Sequence, residues 1–281
     1  MTARTGLGLL SLVRLHSCAS GIVLMVVGFR LGGGSGWREW NVALGAAAIA
    51  LLIAGANGYN DVVDREADVI SAPSRPIPSG MLSWRTALVF SVSCLVVGVG
   101  CGVAAGWRSG LLAAVLAVVS VVYSSHIKRV LLLGNVWVAV TSASAVLFGA
   151  VLAGSIPLVV VVPFGAAVLH MTAFEIVKTI RDQDADRSVG VLTAAQVWGV
   201  RGTVRLGSVI VLMSLSWIVV NGWLFAAAPA YFVLWAVGSS VVAVALFDLV
   251  RLEDARSPRM RRALRSLRLA QIPLLGAMFL L

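Results

Sequence analysis

The sequence predicts an all-α, polytopic membrane protein with nine transmembrane helices, formed by residues 1–281 as a single domain. Hydrophobic residues make up 59% of the 281 positions and charged residues only 12%, whereas a soluble domain typically has about 25% charged residues. Apolar runs repeatedly approach the ~20 residues that a helix needs to cross the hydrocarbon core. The alternation of apolar and polar residues that marks a transmembrane barrel is absent.

Nine apolar segments can be placed along the chain. They are residues 13–33, 41–60, 84–106, 109–126, 132–153, 156–177, 204–222, 226–249 and 266–281. With the N-terminus in the cytoplasm, all but three of the 22 lysine and arginine residues lie on the cytoplasmic side, and only Arg30, Arg38 and Arg108 lie outside. This bias follows the positive-inside rule. The same topology places the active-site loops proposed below in the cytoplasm.

The formal charge of +10 does not indicate nucleic acid, because the basic residues follow the predicted topology. The basic stretch 251–268 is typical of a segment that is attracted to anionic lipid headgroups. The three cysteines, Cys18, Cys94 and Cys101, all fall in apolar segments and form neither a disulfide framework nor a zinc-binding pattern. Membrane lipids are therefore the expected surroundings, and nucleic acid is not an expected partner.

Acidic residues are concentrated in two short clusters at the ends of the second and sixth predicted spans. The clusters hold eight of the twelve acidic residues of the chain. At about 100° per helical residue, one helix face of the first cluster presents Asn57, Asp61, Asp64 and Asp68. One face of the second cluster presents Glu175, Lys178, Asp182 and Asp186.

Like charges at helical spacing repel each other and weaken a helix, so the two acidic faces indicate a function. Cations bound between the carboxylates would remove this repulsion. Mg²⁺ suits the clusters because it prefers hard oxygen ligands and completes its shell with water and phosphate oxygens. Zinc is disfavoured, since neither cluster offers histidine or cysteine at metal-binding spacing.

Three motifs in order along the chain resemble the UbiA superfamily of intramembrane prenyltransferases. The first is Asn60-Asp61-Val-Val-Asp64-Arg65-Glu66-Ala-Asp68, followed by Arg75-Pro-Ile-Pro-Ser-Gly80. The second is Tyr123-Ser-Ser-His-Ile-Lys128-Arg129, continuing to Leu133-Gly-Asn135. The third runs from Glu175 to Asp186. The resemblance implies nine helices around a central cavity.

The resemblance also implies a reaction and the residues that carry it. Two or more Mg²⁺ ions would bind a prenyl diphosphate through Asp61, Asp64, Asp68, Asp182 and Asp186. Four basic side chains would contact phosphate oxygens, namely Arg65, Arg75, Lys128 and Lys178. Tyr123 would bind the diphosphate or face the allylic cation, and Asn57 would position Asp61 or touch a metal-bound water.

The sequence does not distinguish between several acceptors, or between transfer to an acceptor and cyclisation of the prenyl chain. The spacing of the first two motifs resembles the branch that prenylates geranylgeranylglyceryl phosphate, while prenylation of an aromatic acid is a comparable alternative. An intramembrane terpene cyclase, which needs no external acceptor, is a second hypothesis, because His16, Ser17 and Thr179 depart from the family pattern. A transporter is a third, since charges within membranes also mark ion pathways.

Overall fold

The computed structural model describes residues 3–35, 40–188, 190–252 and 254–281, and within these ranges helices are the only regular elements. Arg38, which the charge analysis places on the outer side, lies outside the described residues. The same holds for the side chain of Arg4.

Eleven α-helices follow one another in the described ranges. They are α1 (Ala3–Val13), α2 (Leu15–Leu31), α3 (Trp40–Val63), α4 (Arg65–Ser71), α5 (Trp84–Ala105), α6 (Trp107–Ser125), α7 (Leu133–Ala153), α8 (Val161–Ser188), α9 (Ala194–Leu224), α10 (Pro229–Val250) and α11 (Pro258–Phe279). Two short 3₁₀ turns, Ile127–Arg129 and Leu158–Val160, precede α7 and α8.

Eight segments of the described chain are long and apolar enough to cross a membrane. They match the first eight predicted spans, although α8 extends well beyond the predicted 156–177. Helix α9 begins before the predicted 204–222 and is kinked at Gly199, whose backbone is not helical (φ 66°, ψ 179°). The ninth predicted span, 266–281, lies within α11, whose first half is rich in arginine. The prediction of a polytopic helical protein is confirmed, and the number nine holds only approximately.

The helices form two packed groups. One hydrophobic core is shared by α2, α3, α5, α6 and α7, and the other by α8, α9, α10 and α11. Hydrogen bonds from side chains to backbone oxygens join neighbours in the second group, as when Tyr231 donates to the Ile218 carbonyl at 2.7 Å and His170 to the Leu267 carbonyl at 2.8 Å. Such bonds are typical of helix contacts within membranes.

Helices α2 and α7 approach each other so closely that only glycine fits at the contact. A Cβ atom on Gly28 would lie 1.8 Å from the Val146 carbonyl oxygen, and one on Gly149 would lie 1.8 Å from the Met25 carbonyl oxygen. Close backbone approach through small residues is a common means of association for membrane helices. This contact fixes α2, which begins beside the acidic site, against the rest of the first group.

Candidate active site

The first acidic cluster lies where α3 ends and α4 begins. Asp61 is in the last turn of α3, Asp64 is the residue between the two helices, and Asp68 is in α4. The sequence analysis treated these residues as one continuous helix, whereas the helix is interrupted at Asp64. Asp61 and Asp68 are nonetheless both buried, with 3% and 4% of their surface exposed.

Arg75 joins the two buried carboxylates of this cluster. Its Nη1 atom donates to Asp68 Oδ2 at 2.5 Å and to Asp61 Oδ1 at 3.3 Å. Arg75 belongs to the Arg-Pro-Ile-Pro segment after α4, which the sequence analysis placed near the phosphates of a substrate. The structure thus brings Arg75, Asp61 and Asp68 to one place despite the break in the helix.

The charges of Asp68 and Arg75 support each other. Burial raises the pKa of the Asp68 carboxyl above its usual value, and the guanidinium of Arg75 opposes that shift. Burial acts to lower the pKa of Arg75, but the carboxylates of Asp61 and Asp68 outweigh it and leave the pKa above its usual range. Arg75 therefore stays charged beside the two carboxylates.

Arg14 is a member of the site that the sequence analysis did not identify. It separates α1 from α2 in a left-handed backbone conformation, with φ 51° and ψ 64°, a region that few residues other than glycine adopt. Its guanidinium forms an ion pair with Asp61 and lies 3.5 Å from Asn57 Oδ1. An arginine at the very start of an apolar run was the available signal, and it was interpreted only as a determinant of topology.

Asp64 is held from the other side by Lys128. The ammonium group of Lys128, in the 3₁₀ turn Ile127–Arg129, forms an ion pair with Asp64 Oδ2. The side-chain amide of Asn60 donates to the same oxygen at 2.7 Å. Tyr59 and Ser125, whose hydroxyl groups are 3.1 Å apart, join the ends of α3 and α6 next to this contact. The second motif therefore meets the first one directly.

The second acidic cluster occupies the C-terminal part of α8. Lys178 donates to Glu175 Oε2 at 2.5 Å, one turn away on the same helix. Asp182 receives two bonds from the neighbouring Arg181, at 2.6 and 2.9 Å. Asp186 is half-buried one turn further on. The predicted face of Glu175, Lys178, Asp182 and Asp186 thus lies on one unbroken helix.

The two clusters face each other. Helix α4 packs against α8. The Asp186 carboxylate is close enough to the Asp64 carboxylate and the Lys128 ammonium group for their charges to interact. Tyr123, near the end of α6, is similarly close to Asp64, Asp186 and Glu175. Residues from the three sequence motifs therefore surround one polar space.

Arg65 does not join the ion pairs of these carboxylates in the structure. Its guanidinium donates to the Val62 carbonyl at 3.2 Å and to Glu66 at 3.1 Å. It also lies 6.0 Å from the centre of the Trp84 ring. In the structure Arg65 thus pairs with the exposed Glu66 and not with Asp61, Asp64 or Asp68, and its contact with phosphate stays a prediction.

The donor atoms of the site fit Mg²⁺, although they are not arranged as a preformed metal centre. Within the described ranges, no three carboxylate, imidazole or thiol groups converge closely enough to hold one ion. Four of the carboxylates are paired instead with basic side chains: Asp61 with Arg14 and Arg75, Asp68 with Arg75, Asp64 with Lys128 and Asp182 with Arg181. Oxygen ligands are those that Mg²⁺ prefers, and the buried Nδ2 atom of Asn57 beside them has no hydrogen-bond partner.

Comparisons with known proteins agree with the architecture and the motifs. The UbiA prenyltransferase family matches residues 21–272 of this chain. Digeranylgeranylglyceryl phosphate synthase of Methanopyrus kandleri is 34% identical over 200 residues, which cover 71% of this chain and 73% of that protein. The synthase of the same name from Ignicoccus hospitalis is 31% identical over 253 residues, covering 87% and 82%.

Solved structures share the fold. A UbiA homologue from Aeropyrum pernix K1 has a TM-score of 0.80 at 20% identity, covering 94% of this chain and 96% of that one. A UbiA homologue from Archaeoglobus fulgidus, bound to GPP and Mg²⁺, has a TM-score of 0.73 at 17% identity, covering 97% and 98%. The chain therefore belongs to the UbiA prenyltransferase family and is a multi-pass membrane prenyltransferase.

Proposed function

We propose that this protein transfers a geranylgeranyl group from its diphosphate to the free hydroxyl of a prenylated glyceryl phosphate lipid, in a reaction that requires Mg²⁺. The observation that carries the proposal is the approach of the two acidic clusters, in which Asp186 lies within charge-interaction range of Asp64 and Lys128. The choice of acceptor is supported by the relatives, which are digeranylgeranylglyceryl phosphate synthases.

Two or more Mg²⁺ ions would be held by Asp61, Asp64 and Asp68 from one side and by Asp182 and Asp186 from the other. When bound, Mg²⁺ would supply positive charge that offsets the charge of the diphosphate and the charge that develops on it as it leaves. The basic partners of these carboxylates then become free to donate to phosphate oxygens. Arg75 and Lys128 lie close enough to the carboxylates to do so, and Lys178 is near Asp186.

The reaction exchanges one carbon–oxygen bond for another. The bond between C1 of the prenyl chain and the diphosphate oxygen breaks, and the diphosphate leaves with the electron pair. The acceptor hydroxyl oxygen bonds to C1, and its proton passes to solvent water. The ring of Tyr123, which lies among the carboxylates of both clusters, would face the allylic carbon as positive charge develops on it.

The sidedness of the site is part of the proposal. Both acidic clusters would face the cytoplasm, since the positive-inside rule places the basic residues around them on that side. A water-soluble diphosphate headgroup would then reach the carboxylates from the cytoplasm, while the prenyl chain lies among the apolar helices.

The proposal is tested with purified protein, geranylgeranyl diphosphate and geranylgeranylglyceryl phosphate, with and without Mg²⁺, and the products are identified by mass spectrometry. Asp61→Asn and Asp182→Asn should each reduce turnover by about a hundredfold or more, as is typical when a group that stabilises the transition-state charge is lost. Asp184→Asn is the matched control, because Asp184 is exposed and pairs with Arg256 at 2.9 Å.

Three results would contradict the proposal. Wild-type turnover in Asp61→Asn would show that the Asp61 carboxylate is not needed for the reaction. Alkylation of an aromatic acid in preference to the glyceryl phosphate would change the acceptor. A cyclised hydrocarbon formed from the diphosphate alone would make the protein a terpene cyclase.

A further inference from the structure

A second group of basic side chains lies next to the acidic site, where α2 and α11 meet. Arg268 of α11 and His16 of α2 are both exposed, and His16 lies within charge-interaction range of Arg268 and Arg14. Arg14 itself reaches Asp61 and Asn57. Arg268, the imidazole of His16 and Arg14 therefore stand in a row that ends at the carboxylates, and each of the three can donate a hydrogen bond to an anion.

The position of Arg268 is well defined by its neighbours. The preceding residue, Leu267, accepts a hydrogen bond from the buried His170 of α8 through its carbonyl oxygen, at 2.8 Å. The guanidinium carbon of Arg268 lies 5.5 Å from the centre of the Phe174 ring, in the range of a cation–π contact. Phe174 directly precedes Glu175, so Arg268 is fixed at the edge of the second acidic cluster.

Arg268 differs in its partners from the basic residues of the acidic site. Among the described residues, no carboxylate forms an ion pair with Arg268, whereas Arg14, Arg75 and Lys128 each have one. Arg268 has an aromatic ring but no carboxylate as a partner among the described residues, and Asn57 Nδ2 near Arg14 is a buried donor without a hydrogen bond. Both observations favour an anionic ligand at this position.

The surroundings indicate that this ligand is a lipid. The exposed apolar side chains Leu15, Leu269 and Ile272 lie on the same two helices as His16 and Arg268. A ligand that met both the basic group and these side chains would carry an anionic headgroup and an apolar chain. The guanidinium of arginine matches a phosphate group with two parallel hydrogen bonds.

We propose that Arg268 and His16, next to Arg14, bind the phosphate monoester of the lipid acceptor and so select a phosphorylated lipid. This inference rests on the proposed function for the identity of the acceptor. The diphosphate of the donor would occupy the carboxylates and their basic partners. The acceptor phosphate would lie on the α2–α11 side, with its hydroxyl directed toward the space between the two acidic clusters.

The test measures equilibrium binding in a neutral detergent without donor. Purified protein is titrated with geranylgeranylglyceryl phosphate and with its dephosphorylated form, geranylgeranylglycerol. The wild type should prefer the phosphorylated lipid. Arg268→Gln should lose about tenfold to a hundredfold in affinity for it, as expected when a charged hydrogen bond is removed, with no change for the alcohol. Arg268→Lys should lose less, because it keeps the charge.

Arg261→Gln is the matched control, since Arg261 is an exposed arginine of the same helix, about 10 Å before Arg268 along its axis. It should bind both lipids like the wild type. His16→Gln provides a second variant in case Arg268→Gln disturbs the fold, which a loss of binding to geranylgeranyl diphosphate with Mg²⁺ would reveal. His16→Gln should reduce the preference for the phosphorylated lipid in the same direction.

The inference is overturned if the wild type binds both lipids equally, or if the preference survives in both Arg268→Gln and His16→Gln. It is also overturned if phosphatidylglycerol, a phosphate diester, competes as well as the monoester, because the residues would then form a general headgroup contact. Turnover is measured separately. A protein that binds the phosphorylated lipid through Arg268 without alkylating it would contradict the proposed function and leave the inference standing.

Discussion

Arg14 and Asp61 form an ion pair between the start of α2 and the end of α3, and the carboxylate is almost completely buried. A buried carboxylate without a partner is strongly destabilising. The ion pairs of Asp61 with Arg14 and Arg75 therefore offset the cost of its burial when no metal is bound. Asp64 is stabilised by Lys128 in the same way. The basic residues of the site thus have two roles, since they neutralise the carboxylates first and are available to phosphate afterwards.

Mg²⁺ and diphosphate should therefore depend on each other for binding. Mg²⁺ alone has to displace Arg14, Arg75 or Lys128 from a carboxylate without giving the displaced cation a new partner. Added alone at millimolar concentration, Mg²⁺ should leave Tm nearly unchanged, whereas Mg²⁺ with inorganic diphosphate should raise it by several degrees, because a ligand that binds only the native state stabilises it. Thermal unfolding with each ligand alone and with both measures this, and a large shift with Mg²⁺ alone would contradict it.

Lys128 should matter far more than its neighbour Arg129. Lys128→Met removes the partner of Asp64 and a donor to the diphosphate, and should raise the KM for the prenyl diphosphate about tenfold to a hundredfold. Arg129 is exposed on the same 3₁₀ turn, so Arg129→Met should leave the KM within about twofold of the wild-type value. Steady-state kinetics with the donor varied at saturating acceptor distinguishes the two, and equal effects would contradict a direct role for Lys128.

Arg65 and Arg75, which the sequence analysis treated alike, should differ sharply. Arg75→Met leaves the buried Asp61 and Asp68 short of a partner and should reduce turnover about a hundredfold. Arg65→Met removes contacts with the exposed Glu66 and with the Val62 carbonyl and should change turnover by less than about threefold. A loss of activity in Arg65→Met as large as that in Arg75→Met would support a phosphate contact by Arg65.

Gly149 should be irreplaceable for folding. Valine at this position would place its Cβ 1.8 Å from the Met25 carbonyl oxygen, and overpacking against backbone destabilises by about 3 kcal/mol or more. Gly100 is the control, since it is also helical but its Cβ would meet no atom within 4 Å. Gly149→Val should elute as aggregate in detergent size-exclusion chromatography, while Gly100→Val elutes like the wild type. A monodisperse Gly149→Val protein would show that α2 and α7 can separate.

The sequence was sufficient to predict the helices and the acidic face of α8, because hydrophobic runs and the spacing of Asp182 and Asp186 depend only on local periodicity. It did not predict the interruption of the helix at Asp64, which divides the first acidic face between α3 and α4. Two features were less accessible. The arginine-rich first half of α11 made the last span hard to delimit. The end of α8 continues beyond the apolar run as polar helix, which a search for apolar runs does not detect.

Tertiary partners were the part of the site that the sequence could not reveal. Arg14 is 47 positions from Asp61, and nothing local distinguishes it from an arginine that only sets topology. Lys128 and Asp64 are 64 positions apart, and Arg65 is as close to the carboxylates in sequence as any other basic residue. Which cation meets which carboxylate depends on how the helices pack, for example on the close approach of α2 and α7 at Gly28 and Gly149.

The left-handed backbone at Arg14 allows the energetic cost of the bend to be separated from that of the ion pair. Arg14→Gly and Arg14→Ala both remove the guanidinium, so both should lose the same activity. They should differ in stability by up to about 1 kcal/mol in favour of glycine, because only alanine retains the steric conflict of a Cβ in that conformation. The difference in the free energy of unfolding between the two variants would measure the cost of a side chain in the left-handed conformation between α1 and α2.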